Sequence, residues 1–273
     1  MRHAFFATSR PLVFAHRGGS ALAPENTLAA FDRGLALGVD GFELDVRLSR
    51  DRIVMVHHDP TLERTTDLTG DVAATSAREL SMADAGYRFS AGGGFPFRGR
   101  GVNVPTLREV LLRYPAHRVI IEIKGHMADT ATAVVDAIRG ADAVDRVCVG
   151  SFGASVLRAV RALEPALATS AAREEVRWAL YRSWCRWPVA RPAWDGYQVP
   201  EWAGRTHVVS PRFVADAHRT GLGVQVWTVD REDDARRLLG WGVDALITDR
   251  PDVMVPLVQS EGEKSQTQPT RTQ

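Results

Sequence analysis

The sequence predicts a TIM (β/α)8 barrel. Short apolar runs alternate with helix-like segments from one end of the chain to the other. The runs are continuously apolar, as expected for parallel strands covered on both faces by helices. About eight such repeats fit into roughly 250 residues, the size of a closed barrel. A doubly wound open sheet is the competing fold, but no GxGxxG follows the first strand to support it.

In chain order, the candidate strands are LVFAH (12–16), GFELDVRL (41–48), RIVMVHH (52–58), RVIIEIK (118–124) and RVCVGSF (146–152), then ALATSA (166–171), THVVS (206–210), GVQVWTV (223–229) and DALITD (244–249). Between them, NTLAAFDRGLALG places Leu28, Phe31, Leu35 and Leu37 at helical spacing and stops at Gly38. ADTATAVVDAIRG, ASVLRAVRALEP, PRFVADAHRTG and REDDARRLLGWG behave alike, each ending on the Gly or Pro that stops helices. Residues 60–117 run long between strands, and the glycines of SAGGGFPFRGRG predict a loop-rich excursion rather than a second core. One domain is expected over 1–258, with a disordered tail over 259–273, where QSEGEKSQTQPTRTQ has no apolar period.

The 273 residues carry 34 basic and 33 acidic side chains, so no global field favours nucleic acid or anionic membrane, and charge selectivity must be local. Cys148 and Cys185 have neither zinc spacing nor a CxxC, which predicts two reduced thiols. No apolar run has signal-peptide or membrane-spanning character, so a cytoplasmic protein is expected.

Chemistry concentrates in charged residues on strands. Glu43 and Asp45 sit two apart in GFELDVRL and project from one face of an extended strand. Two buried carboxylates side by side need a positive partner. Glu122 and Lys124 repeat the spacing in IEIK, so three carboxylates and a lysine can converge at the carboxyl-terminal mouth. Hard oxygen ligands of this kind suit one divalent cation, Mg²⁺ or Ca²⁺; salt bridges along the rim are the simpler alternative. Histidines end two strands, His16 in AHRGG and His57 or His58 in HHD, and can serve as acid and base. Spacing leaves both His57 and His58 as candidates. His3, His117, His126, His207 and His218 have no such setting and are expected to be ordinary residues.

The ordered set AHRGGSALAPENTLAAF (15–31), GVDGFELDVRLSRDRIVMVHHDPTLERTT (38–66), VPTLREVL (104–111), IIEIKG (120–125), VQVWTVD (224–230) and GVDALITDRP (242–251) resembles the glycerophosphodiester phosphodiesterase family over nearly the whole chain. The resemblance implies metal-dependent hydrolysis of a glycerophosphodiester to glycerol 3-phosphate and an alcohol, in glycerol and lipid metabolism. It assigns His16 and His58 to acid–base catalysis and makes His57 a neighbour. Glu43, Asp45 and Glu122 become the metal ligands, Arg17 and Lys124 face the phosphate, and Trp227 lines the substrate pocket. It also makes the excursion at 60–117 a small insertion capping the barrel mouth. Direct attack by water and attack by the substrate's own glycerol hydroxyl through a cyclic phosphate both fit these residues. Gly18 and Gly19 are expected to let the chain turn where a side chain would obstruct substrate, and Asn26 to cap the first helix.

Residues 173–205 hold five of the seven tryptophans. A helix over 176–187 puts Trp178, Tyr181, Trp184, Cys185 and Trp187 on one broad side, with Arg182 and Arg186 opposite. Packing of these rings against the barrel or the insertion is the simpler expectation; weak membrane-surface contact through 176–202 is the alternative. Three functions follow: hydrolysis of small soluble glycerophosphodiesters, lysophospholipase D action on membrane lysolipids, or a non-enzymatic binding module on the same barrel. The last requires a missing catalytic group, and every group named above is present.

Overall fold

The computed structural model describes residues 3–125, 128–187 and 192–267. Its strands are β1 (Leu12–Ala15), β2 (Gly41–Leu48), β3 (Val54–Val56), β4 (Arg118–Ile123), β5 (Val147–Gly150), β6 (Ala168–Thr169), β7 (Gly196–Pro200), β8 (Trp202–Ala203), β9 (Thr206–His207), β10 (Gly223–Trp227) and β11 (Ala245–Thr248). The helices are α1 (Leu28–Ala36), α2 (Ala77–Leu80), α3 (Leu107–Arg113), α4 (Ala128–Arg139), α5 (Ala154–Leu163), α6 (Arg173–Cys185), α7 (Pro211–Arg219), α8 (Glu232–Gly240) and α9 (Pro251–Thr267). Parallel strands follow the order β6-β5-β4-β2-β1-β11-β10-β7. A parallel bridge between Ser170 and Gly196 closes the ring, with Ala171 N donating to Gly196 O at 3.0 Å and Asp195 N to Thr169 O at 2.9 Å. The TIM barrel expected from the alternation is the fold observed.

Three strand expectations are corrected. The run at 52–58 forms β3, which pairs antiparallel with β2 (Val46 opposite Val56) and lies outside the ring. Only a handful of residues separate it from β2, whereas a parallel return needs a crossover of a dozen or more. THVVS contributes β9 to a two-stranded hairpin with β8, while Val208 and Val209 bury in the helix-facing core. The barrel strand of this repeat is β7, from GYQVP, whose central Gln198 interrupts the apolar pattern of a buried strand.

Side chains divide by the two-residue period of the strands. Val13, Ala15, Phe42, Leu44, Val46, Val119, Ile121 and Ile123 face the helices, where they join one large apolar core. Leu12, Phe14, Ile120, Cys148, Ala168, Ala245 and Ile247 face the axis. Phe5 and Phe6, on a short 3-10 turn before β1, fill that interior, with Phe5 stacked 6.1 Å from Phe14. A Cβ on Gly196 would lie 2.4 Å from the Phe6 ring, so β7 is pinned against this plug. The same parity sends Glu43, Asp45 and Glu122 toward the axis at the mouth.

The excursion contains more than loops. Met55, Leu62, Val72, Leu80, Ala83, Ala85 and Val104 form a separate apolar cluster, correcting the expectation of no second core. α3, at its end, joins the main core through Leu107, Val110 and Leu111. The tail expectation also changes. α9 continues through Thr267 because Met254, Val255, Leu257 and Val258 bury against the barrel and anchor it; residues 268–273 lie outside the described residues. No helix among the described residues is long and apolar enough to cross a membrane. Cys148 is buried and Cys185 exposed, both as free thiols.

The Trp-rich segment departs from the packing expectation. α6 turns its smaller residues, Val176, Ala179, Leu180 and Ser183, toward the barrel. Trp178, Tyr181, Trp184 and Trp187 are left 55–62% exposed. His126 and residues 188–191 lie outside the described residues.

Candidate active site

The strand β1 ends at Ala15, and a single 3-10 turn carries His16 and Arg17 over the mouth. Arg17, Gly18 and Gly19 all take positive φ (51°, 88° and 95°). A Cβ on Gly18 would sit 2.6 Å from Ala30 Cβ and one on Gly19 2.9 Å from Pro251 Cγ. What a side chain there would obstruct is therefore helices α1 and α9, not substrate as expected. Thr27, not Asn26, caps α1, its hydroxyl accepting from Ala30 N at 3.2 Å. Asn26 is buried and clamps Asp45 instead, donating Nδ2 to Oδ2 at 2.9 Å and accepting Asp45 N at 3.1 Å.

Both histidines are oriented by carboxylates. His16 Nδ1 lies 2.7 Å from Asp249 Oδ1, which Ser20 Oγ also reaches at 2.6 Å. His58 Nδ1 lies 2.6 Å from Asp59 Oδ1. A carboxylate on Nδ1 leaves Nε2 as the nitrogen free for proton transfer. His57 is buried and bonds Thr61 O through Nε2 at 3.0 Å, holding the loop rather than facing the mouth. Burial pulls the His16 pKa down, but the Asp249 bond and the Glu43 charge outweigh it, and the net shift is upward. His58 is shifted downward, chiefly by burial.

Glu43, Asp45 and Glu122 each present an oxygen within 4.8 Å of the others. Oxygens bound to one Mg²⁺ or Ca²⁺ at 2.0–2.6 Å lie no more than about 4–5 Å apart, so the spacing fits such an ion. Lys124 Nζ is 2.9 Å from both Asp45 Oδ1 and Glu122 Oε1, and Arg17 Nε is 3.2 Å from Asp45 Oδ2. The rim salt bridges of the simpler reading thus exist. They do not complete the site: two cations face three carboxylates, which leaves the cluster one positive charge short. Burial and the Asp45 charge push the Glu43 carboxyl up to about 8, the state of a carboxylate cluster short of positive charge. Oxygen-only donors and excess negative charge both suit a hard divalent cation.

Sequence reasoning missed the residues that join the two histidine turns. Glu25 Oε1 accepts from Arg17 Nη1 at 2.9 Å, and the Glu25 carboxylate takes both Arg64 Nη atoms at 2.7 Å. Arg64 Nε also bonds Asp59, the partner of His58. A continuous chain of charge therefore runs Arg17–Glu25–Arg64–Asp59–His58. Arg47 Nε fixes the His58 carbonyl at 2.8 Å. PEN, LERTT and TDRP, which carry Glu25, Arg64 and Asp249, lay inside the quoted motifs and were the available signal.

A cavity of about 770 Å³ opens beside the cluster, with Lys124, Ser151 and Phe152 in its wall. Trp227 does not line it. Its ring meets Phe152 edge-on at 6.3 Å and borders a second cavity of about 310 Å³ with Trp202 and Thr228.

Residues 16–253 match the model of the glycerophosphoryl diester phosphodiesterase family. A glycerophosphodiester phosphodiesterase of Caldanaerobacter subterraneus is 34% identical over 93% of this chain and all of its own. A probable glycerophosphodiester phosphodiesterase 2 of Mycobacterium tuberculosis is 32% identical, with 92% of each chain covered. Among solved structures, a phosphodiesterase of Oleispira antarctica, in complex with the product sn-glycerol-3-phosphate, is 26% identical with a TM-score of 0.74, covering 92% of this chain and 97% of its own. One from Silicibacter pomeroyi, described as a glycerophosphoryl diester phosphodiesterase, is 27% identical with a TM-score of 0.77 and covers 96% of each chain.

Proposed function

Because the chain belongs to the glycerophosphoryl diester phosphodiesterase family and is thus a phosphoric diester hydrolase, we propose that it uses one divalent cation, Mg²⁺ or Ca²⁺, to hydrolyse glycerophosphodiesters to glycerol 3-phosphate and an alcohol. The observation that carries this reading is the convergence of Glu43, Asp45 and Glu122 within 4.8 Å of one another, flanked by two carboxylate-oriented histidines.

Glu43, Asp45 and Glu122 hold the ion, which supplies Lewis-acid charge for the phosphoryl oxygens. Arg17 and Lys124 direct positive charge to the same oxygens, where negative charge grows in the transition state. Of His16 and His58, one takes the proton of the attacking hydroxyl at Nε2; the other returns a proton to the alcohol oxygen as its bond to phosphorus breaks. Asp249 and Asp59 keep each ring in the required tautomer. Trp227 supports the substrate wall through Phe152.

The test is glycerol 3-phosphate release from glycerophosphocholine by wild type, His16→Ala and His58→Ala. Each variant is expected to lose at least about 10²-fold in kcat while remaining folded. Undiminished turnover in either removes that histidine from the mechanism.

The exposed face of α6 favours a second reading, in which the enzyme works on lysolipids at an anionic phospholipid surface. Trp178, Tyr181, Trp184 and Trp187 are exposed, and Arg177, Arg182 and Arg186 of the same segment have no carboxylate partner among the described residues. Aromatic rings with interleaved arginines suit the headgroup region of such a bilayer. Cosedimentation with phosphatidylglycerol vesicles, weakened in Trp178→Ala/Trp184→Ala, is expected. Absence of binding, or equal binding by the variant, rejects this reading.

A further inference from the structure

The wall of the 770 Å³ cavity carries charge that the reaction at phosphorus does not use. Lys124 lies at the boundary with the carboxylate cluster, where Asp45 and Glu122 already engage it. Beyond it stand Arg158, Arg173 and Glu174, with the hydroxyls of Ser151 and Ser155. Neither arginine has a carboxylate partner among the described residues. Arg173 stacks its guanidinium 4.9 Å over the Phe152 ring, which fixes its direction without neutralising it. Arg158 is exposed to the cavity from the second turn of α5. Two arginines against one glutamate leave the wall net positive, within a space sized for a small ligand.

Building on the phosphodiesterase reading, we infer that this cavity is a subsite for the alcohol half of the substrate and selects alcohols bearing a second anionic group, such as a phosphate. The chemistry of the diester decides which half it reads. The glycerol half carries only hydroxyls, the same in every substrate of the class. A fixed positive charge beside the phosphoryl site therefore discriminates substrates only through the alcohol. Arginine suits this task because its planar fork pairs with phosphate or carboxylate oxygens two at a time.

The test compares two diesters that differ by one group: glycerophosphoglycerol, and the same molecule phosphorylated on its free glycerol. Wild type with its divalent cation is expected to favour the phosphorylated diester by about tenfold or more in kcat/KM. Added salt is expected to shrink the ratio by screening. Arg158→Gln and Arg173→Gln, which keep the side-chain stems, are each expected to lower the ratio several-fold, and the double variant to bring it near one. A wild-type ratio near one, or a ratio preserved in the double variant, overturns the subsite alone. Equal losses on both diesters overturn it too, by assigning the arginines to the shared glycerol half. Failure of wild type to cleave either diester overturns the hydrolase reading, and the subsite with it.

Discussion

Neutralising Glu25 as Glu25→Gln cuts the one carboxylate that joins the His16–Arg17 turn to the His58–Asp59 turn. Its pair with Arg17 is largely buried, the side chains being 17% and 15% exposed, whereas Arg64 is 47% exposed. Removing one partner of a buried ion pair costs about 3–5 kcal/mol, and of an exposed pair about 0–1 kcal/mol. Arg17 retains Asp45 at 3.2 Å, which places the loss at the lower end. Glu25→Gln is therefore expected to cost about 3 kcal/mol, and Arg64→Gln about 1 kcal/mol. In a domain of this size the melting temperature falls by about 2–4 °C per kcal/mol. The expected drops are about 6–12 °C for Glu25→Gln and about 2–4 °C for Arg64→Gln, measured by calorimetry with the double variant closing the cycle. Turnover is expected to fall in both, since each loosens a histidine's surroundings. Equal drops for the two variants, or none for Glu25→Gln, would refute the argument that Glu25 is the buried junction.

The remaining expectations rest on separate contacts. Asp249→Asn removes the carboxylate on His16 Nδ1 and is expected to lower kcat by about 10²- to 10⁴-fold with little change in melting temperature; a loss under about threefold contradicts the orienting role. Gly18→Ala forces a Cβ to within 2.6 Å of Ala30 Cβ at a positive φ. Left-handed strain of about 1–2 kcal/mol and overpacking of about 1–3 kcal/mol combine to about 2–5 kcal/mol of destabilisation, and a melting point matching wild type would exclude the clash. The Glu25 carboxyl sits below its usual 4.5, because Arg64 and Arg17 outweigh the burial that opposes ionisation. Its contribution is thus present above the unfolded value and lost as pH falls through the depressed folded one. Between about pH 5 and 3 the wild type is expected to lose more stability than Glu25→Gln, and parallel acid profiles would contradict this.

Much of the barrel and its centre could be read from the sequence because both rest on local periodicity. Alternation of apolar runs and amphipathic helices marks a layered α/β fold, and a two-residue spacing puts Glu43 with Asp45 on one strand face. Strand direction was less accessible. RIVMVHH has the composition of a barrel strand, and only its short separation from β2 distinguishes a hairpin return. GYQVP gives a weak strand signal because its apolar stretch is brief, centred on Gln198 and embedded among tryptophans and prolines. Positioning residues were hidden for another reason. Glu25, Arg64 and Asp249 come from three loops far apart in sequence, and their meeting is a property of the folded mouth, not of any local pattern. Asn26 misled because a side chain suited to capping served a tertiary contact while Thr27 took the cap.

The central claim, that Glu43, Asp45 and Glu122 hold a divalent cation on which phosphodiester hydrolysis depends, is tested most directly by metal removal and return. Chelated protein is expected to release no glycerol 3-phosphate from glycerophosphocholine and to recover on addition of Mg²⁺ or Ca²⁺. Calorimetric titration should show one ion per chain, with affinity weakened at least about tenfold in Glu122→Gln. Turnover that persists in chelator, or ion binding indifferent to Glu122→Gln, would contradict the account.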